Sequence, residues 1–488
     1  MRKGSITIFL ILSMMLVASA LFALLEASRF QSMKRITKMQ AQAALESAFA
    51  EYNTYLWEDY RLLACRQSEI NNRIEQNTAH RSAEKKLGTN FYQFRVEQIQ
   101  QEGYTRLTDE NGSGLIQAAS HYMEQNLLYE TAKKIYNQYE GIKNIEHNSE
   151  FDFSIIEKAL KRIQTEENNN KNSVGSIGVT KKDGVTKSGN NSSKNSYKDQ
   201  ENPLKLIQNL QKKGILALVI KDTSQLSEKE IKLSEMVSQR EMPESYNSNI
   251  KESDWYTKVL FQQYLLTYLS NYMDEKGHVL EYELEYLLGG KETEIKNMKA
   301  VVNQLLGLRE AANFLYLSSQ PEKVEQARVL AVAIAGVSLS PAVINVVKTA
   351  VLAAWAFAES VLDIRTLLTG GKIALLKSDK TWTLDLEYIT TIGEGYKKAK
   401  NCENGLNYTE YLGILLLFQR ENNLALRTLD AQELTLRKRY EDKSISMEDW
   451  IVHVDVNITY QYKPVFFSIG RILPFWDYEI RVREQLEY

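Results

Sequence analysis

A chain of 488 residues that is 43% apolar and 25% charged is long enough for two or three folding units and apolar enough to give them real cores. Its formal net charge of −2 argues against a nucleic-acid or other polyanion binder. Only six prolines occur, the first at Pro203, which points to a helix-rich protein.

Ile6 to Leu25 is a run of twenty residues without a charge, with Arg2 and Lys3 before it and Glu26 and Arg29 after it. As a helix it spans about 30 Å, the thickness of a bilayer's hydrocarbon core. Neither Gly nor Pro occurs from Ser5 to Leu87, so the helix is expected to continue past the membrane. The terminal amine, Arg2 and Lys3 favour a cytoplasmic N-terminus, while Arg29, Lys34, Arg35 and Lys38 form an opposing cluster after the span. A five-residue tail is useless as a cytoplasmic domain. The expected arrangement is therefore a single-pass cell-membrane protein: 1–5 a cytoplasmic leader, 6–25 the transmembrane helix, and the bulk extracellular. Ala18-Ser19-Ala20 has the form of a signal-peptide cleavage site and supplies the competing reading.

Phe30, Met33, Thr37, Ala41, Ala44, Ala48, Tyr52 and Tyr55 recur at three- and four-residue steps, one face of a stalk helix expected to end near Ala64. The alanines make that face narrow and flat, suited to close packing on a helix or a sheet. Phe94 to Leu107 reads as a strand, and Asp109-Glu110-Asn111-Gly112 as a turn. Helices follow from about Ser113 to Tyr139 and from Phe153 to Thr165, so that 26–165 forms the stalk and a membrane-proximal α+β region. Residues 166–202 are rich in Asn, Ser, Gly and Lys with almost nothing to bury, and read as a disordered linker or insert.

The distal region, 203–488, is helical from Asp254 to Thr369. Gly289-Gly290 marks a helix stop, and Ser340-Pro341 starts a new helix within the most apolar stretch, Val329 to Ala358. Helices at about 322–337 and 341–368 result. A membrane hairpin is the alternative for them, but the first arm opens with charges and the second carries Asn345, Lys348, Glu359 and Asp363. Such short stretches read as buried core. Trp382, Leu384, Leu386 and Tyr388 alternate with polar residues as in a strand, Tyr408 to Tyr440 reads as one long helix, and 452–462 and 478–488 alternate as half-buried antiparallel strands. The fold class is α+β, a helix-rich ectodomain with antiparallel strands near 94–107 and at the C-terminus.

Little of the sequence suggests chemistry. His80, His121, His147, His278 and His453 have no metal-ligand spacing, and Gly370-Gly371-Lys372 is a helix stop rather than a phosphate loop. Glu359 and Asp363, four apart on an apolar helix, are the best paired carboxylates. Arg309 and Glu310 are the best buried charges elsewhere. The plain reading is that these groups pair with each other or with Arg365 to fix helix packing. No cofactor, metal or small-molecule substrate is expected, and the chain does not read as an enzyme; an envelope hydrolase using Glu359 and Asp363 is the enzymatic alternative. Cys65 and Cys402, the only cysteines, are either one disulfide or two unrelated thiols.

Several stretches together carry a family resemblance: Lys3-Gly4-Ser5-Ile6-Thr7-Ile8-Phe9, Glu46-Ser47-Ala48-Phe49-Ala50-Glu51-Tyr52-Asn53, and residues 282–297, 308–317 and 353–378. They resemble an uncharacterised envelope-protein family (a domain of unknown function) of Gram-positive, clostridia-like bacteria. The resemblance implies genes encoded with Tad (Flp-type) pilus machinery, hence a structural or accessory role in a pilus or secretion apparatus, with partners met through the N-terminal helix. Gly4 and Ser5 resemble a prepilin-peptidase site, Ser5 being the first mature residue. Pilins and their TadE-like relatives usually carry Glu at mature position five, where this chain has Phe9. A surface adhesin independent of any pilus is the alternative.

Overall fold

The computed structural model describes residues 3–83, 92, 94–127, 132, 133, 135, 136, 154–174, 202–246, 250, 253–335, 340–393, 395–462, 465 and 478–488. In chain order these form α1 (Lys3–Phe49), α2 (Thr54–Tyr60), β1 (Cys65–Arg66), α3 (Gln67–Ala83), β2 (Phe94–Arg106) and α4 (Asp109–Glu124). Next come α5 (Ser154–Val174), α6 (Pro203–Lys213), α7 (Ile215–Val219), α8 (Trp255–Tyr268), α9 (Glu283–Gly289) and α10 (Glu294–Ser319). Last are α11 (Pro321–Ala335), α12 (Pro341–Leu367), α13 (Tyr408–Leu417), α14 (Glu421–Arg439), β3 (Trp450–Tyr462) and β4 (Tyr478–Glu487). The fold is α+β, helix-rich with one small antiparallel sheet.

Two compact units share the chain, each assembled from separated stretches. One takes Met1–Leu127, Ser234–Tyr264 and Glu421–Tyr488; the other takes Leu128–Leu233 and Leu265–Arg420. The division expected at 166–202 is therefore not the one that the contacts make. Residues 166–174 continue α5 as helix to Val174, because no Gly or Pro interrupts the chain between Phe153 and Gly175. Residues 175–201 lie outside the described residues.

In the first unit, α1 changes surroundings along its length. Ile6 to Leu25 is exposed throughout apart from half-buried Ala18, and from Arg29 onward one face is buried. Met33, Thr37, Ala41, Ala44 and Ala48 of the expected stripe are all buried. Met33 and the three alanines join Ile70 and Ile74 of α3, the inner face of β3 and Ile480 and Val482 of β4 in one core. Small alanines let the helix axis approach the sheet, and the large side chains fill what remains; each fully buried Met, Leu or Phe contributes about 1.5–3 kcal/mol. Phe30 packs on Tyr462 and Phe49 on Tyr488, with ring centroids 5.8 and 4.8 Å apart.

β3 is the central strand. β2 pairs along it on one side, while β4 and the short β1 pair on the other, all antiparallel. The expected alternation appears from Asn457 to Tyr462, but 451–456 are buried on both faces. The stalk helix stops at Phe49 rather than near Ala64, giving about 70 Å of continuous helix. Asn53 starts α2 by accepting the Leu56 N–H at 2.9 Å, and a side-chain cap of this kind commits the chain to a new helix. Glu110, Asn111 and Gly112 follow β2 in left-handed conformation (φ 49, 57 and 88°) before the regular part of α4, at the turn read from the sequence. Of the helix expected to reach Tyr139, α4 ends at Glu124, and most of 128–139 lies outside the described residues.

In the second unit, α12 is the core helix: every residue from Ala350 to Leu368 is buried. It packs on α10, α11 and α5, the surroundings of a buried core helix rather than of one arm of a membrane hairpin. The expected strand at 382–388 is absent. Trp382 and Leu384 are buried, but the Thr383 and Leu384 N–H groups bond the Glu359 carboxylate instead of a neighbouring strand, and Leu386–Gly393 then winds as a 3-10 helix. The single helix expected at 408–440 is two, α13 and α14, ending and beginning around Phe418–Arg420 and serving different units. The polar stretch Gln419 to Asn423 offers neither core an apolar face to bridge the gap.

Candidate functional site

Two features are built from the residues singled out above. The first is the exposed half of α1. Its most apolar eighteen-residue window has a mean hydropathy of 2.7 and none of it is buried. That segment is long and apolar enough to serve as a membrane anchor or a signal sequence. Gly4 and Ser5 lie in its first turn.

The second is a buried charged network in the second unit. The Arg309 Nε on α10 donates to Asp363 Oδ2 on α12 at 3.1 Å, and its other nitrogens reach the Leu375 carbonyl (2.7 Å), Tyr411 Oη (3.0 Å) and Asn313 Oδ1 (3.3 Å). Asn313 Nδ2 donates to Asp363 Oδ2 at 3.0 Å and to Ser360 Oγ at 2.9 Å. Lys377 Nζ lies 2.6 Å from Glu359 Oε1 and 2.7 Å from Asp363 Oδ1. Two cations thus face two carboxylates, all with side chains at most 1% exposed. Burial holds the Glu359 carboxyl above its ordinary range, with Lys377 working against that shift. The arrangement ties α10, α12 and the 375–384 segment together. Removing one partner of such a pair leaves an uncompensated buried charge.

Arg309, Glu359 and Asp363 are therefore brought together, whereas Arg365 and Glu310 are not part of the network. Arg365 bonds the carbonyls of Leu218 (2.7 Å), Lys397 and Ile392 (both 3.2 Å), so it braces loops onto α12 instead of pairing with the carboxylates. Glu310 is fully buried, neither of its oxygens has a hydrogen-bond partner among the described residues, and burial raises its pKa well above the usual value. Sequence reasoning missed Lys377, Asn313, Ser360 and Tyr411. Asn313 stands one turn after Arg309 and Ser360 almost one turn before Asp363, which was a usable signal; Lys377 reaches back across a loop and left none. A second acid, Glu285, is also buried, accepts from Tyr272 N–H (3.0 Å) and Tyr408 O–H (2.7 Å), and is pushed up to about 7 by burial.

Cys65 and Cys402 are both free, so the disulfide considered from the sequence is not formed. Cys65 sits buried at the start of the sheet, and burial pushes its thiol up to about 12, which makes it a poor nucleophile. A cleft of about 670 Å³ in the first unit is lined by Gln117, His121, Asp254, Glu421 and Glu487 among others. It contains none of the predicted residues. Three of its carboxylates are already engaged, Glu487 by Gln117 at 2.7 Å, Glu421 by Lys258 at 3.0 Å, and Asp254 by the Thr257 N–H at 2.8 Å, while Glu110 and Glu124 also line it.

A helix-rich α+β protein with an N-terminal apolar helix is the class that these observations define. Residues 193–462 match the family of unknown function DUF5702, and the chain belongs to that family. The matched span takes in three of the stretches noted above and leaves out the two N-terminal ones. No curated protein and no solved structure matches the chain.

Proposed function

We propose that this protein is a single-pass, membrane-anchored structural component with its bulk outside the cell, working without catalysis in a Tad-like pilus or secretion apparatus. The observation that carries the reading is the division of α1 into an exposed apolar half and a half seated on the sheet, with no break between them. The apolar half is left to be covered by lipid or by apolar helices of neighbouring proteins. Because the same helix is clamped by the core from Arg29 on, any such contact fixes the orientation of the sheet unit as well. The capped, buried carboxylates Glu359 and Asp363 support a non-catalytic role, since neither has an open side from which to act on a substrate. The pilus assignment itself rests on the sequence resemblance carried together by residues 3–9, 46–53, 282–297, 308–317 and 353–378.

The test is photo-crosslinking in living cells from positions along the exposed helix, such as Phe9 and Leu16. Adducts to pilus or secretion-machinery membrane proteins, or to a second copy, are expected. Adducts to lipid alone would leave a plain anchor and remove the assembly role. N-terminal sequencing of the membrane-extracted protein adds a check on processing: a chain beginning at Ser5 supports the pilin-like route, and one beginning at Met1 contradicts it.

A further inference from the structure

The basic cluster that follows the apolar span of α1 is divided by the fold. Of Arg29, Lys34, Arg35 and Lys38, the first is buried and donates to Glu26 at 2.7 Å. The other three are exposed, and at 3.6 residues per turn they share an arc of about 100° outside the buried stripe. Lys34 and Arg35 make no ion pair or side-chain hydrogen bond among the described residues. Lys38 keeps a side chain that is 68% exposed, its ammonium 3.9 Å from Glu484. No acid occurs between Glu26 and Glu46, so α1 supplies these cations with no partner of its own. Ala27, Ser28 and Gln31, exposed on the same side between the span and Lys34, are small or uncharged. Two free cations and a third loosely held one therefore stand on the very helix that carries the apolar span.

We propose that this arc of α1 binds the headgroups of anionic phospholipids at the membrane surface from which the bulk of the chain emerges; this rests on the membrane-anchored reading above. Lys34 stands nine residues past Leu25, about 13 Å along the helix. Side chains on a helix lean toward its N-terminus and cover the turn below their own Cα, here toward the bilayer. That brings the heads of Lys34 and Arg35 back by about 5 Å, to about 8 Å from the hydrocarbon edge. A headgroup layer is about 5–8 Å deep, so the two heads meet its outer boundary, where the phosphates are. Lys38 lies one turn further out, within a Debye length of about 8–10 Å, and adds to the attraction without touching the layer. The sheet core grips the other side of the helix from Met33 on, which keeps the arc from turning away. An acidic protein face would satisfy the same cations, but the lipid surface is the one that an unbroken helix holds against them at a set depth.

The experiment uses the full chain carrying Cys402→Ser, with Cys65 left in place because it is buried. A fluorophore is attached at Gln31→Cys, an exposed position between the span and the cations, and the protein is reconstituted into vesicles of phosphatidylcholine with a minor share of phosphatidylglycerol. A trace of one lipid or the other carries a nitroxide on its headgroup. The expected result is quenching at least about twofold stronger by the labelled phosphatidylglycerol than by the labelled phosphatidylcholine. That preference should vanish in molar salt and in the Lys34→Gln, Arg35→Gln double variant. Equal quenching by the two lipids in the parent chain overturns the proposal, since the membrane is then near but its charge is not read. A preference that survives the double variant assigns the attraction to other groups and overturns it too. Absence of quenching by either lipid, with the protein still floating with the vesicles, overturns the headgroup contact and leaves the anchor intact. A chain that fails to float overturns both readings.

Discussion

Lys377 Nζ meets two buried carboxylates at once, at 2.6 and 2.7 Å, so its loss should be felt more than that of any surface charge. Lys377→Met leaves Glu359 and Asp363 sharing one cation, and a cost of about 3–5 kcal/mol is expected, measured by denaturant unfolding of the full chain in detergent. Adding Glu359→Gln to that variant should restore part of the loss; a double variant as unstable as the sum of the two singles would show that the pair is not coupled. Glu285 makes a separate, pH-dependent prediction. Its folded pKa of about 7 lies above the ordinary 4.5, so below pH 4.5 both states hold the proton and stability is fully present. Between about 4.5 and 7 the unfolded chain loses its proton while the folded chain keeps it, and stability falls as pH rises, by about 3 kcal/mol in all. Glu285→Gln keeps an acceptor for Tyr272 and Tyr408 and should be flatter across that window, matching the native protein near pH 4 and exceeding it near pH 8. Parallel pH profiles for the two proteins would contradict the assignment.

At the scale of elements, the turn between β2 and α4 is the tightest joint in the first unit. A Cβ added at Gly114 would stand 2.0 Å from the Arg106 carbonyl oxygen, and one at Gly112 would stand 2.7 Å from Ala425 Cβ. Since the obstacle at Gly114 is backbone, Gly114→Ala should lower stability by about 1–3 kcal/mol, read as a drop in melting temperature; an unchanged melting temperature would mean that the β2–α4 joint is looser than described. This turn was legible because Asp-Glu-Asn-Gly is local chemistry. The alanine stripe of α1 was legible for a similar reason, its period surviving whatever it packs against. What it packs against was not legible: a face of Met33, Ala41 and Ala44 fits a helix or a sheet equally well. Trp382 and Leu384 misled because burial on alternate residues arises in a strand and also in an extended segment whose N–H groups are taken by a buried carboxylate. The break between α13 and α14 has no Gly or Pro to announce it, and the two helices belong to different units.

At the scale of the whole molecule, the discontinuous units could not be read from composition. The Asn- and Ser-rich stretch looked like a boundary, yet chain continuity and contact topology are independent, and β2 pairs with β3 across more than 340 residues of sequence. The charged network was half legible for the same reason: its helix-borne members share a period, and its loop-borne lysine does not. Orientation, by contrast, follows from one helix. If α1 is the only span and the bulk lies outside, Glu275→Cys and Lys380→Cys, exposed positions before and after α12, should both react with a membrane-impermeant maleimide on intact cells carrying Cys402→Ser. Reaction at 275 without reaction at 380 would mean that α12 crosses the bilayer, and reaction at neither site until the cells are opened would place the bulk of the chain inside and contradict the account.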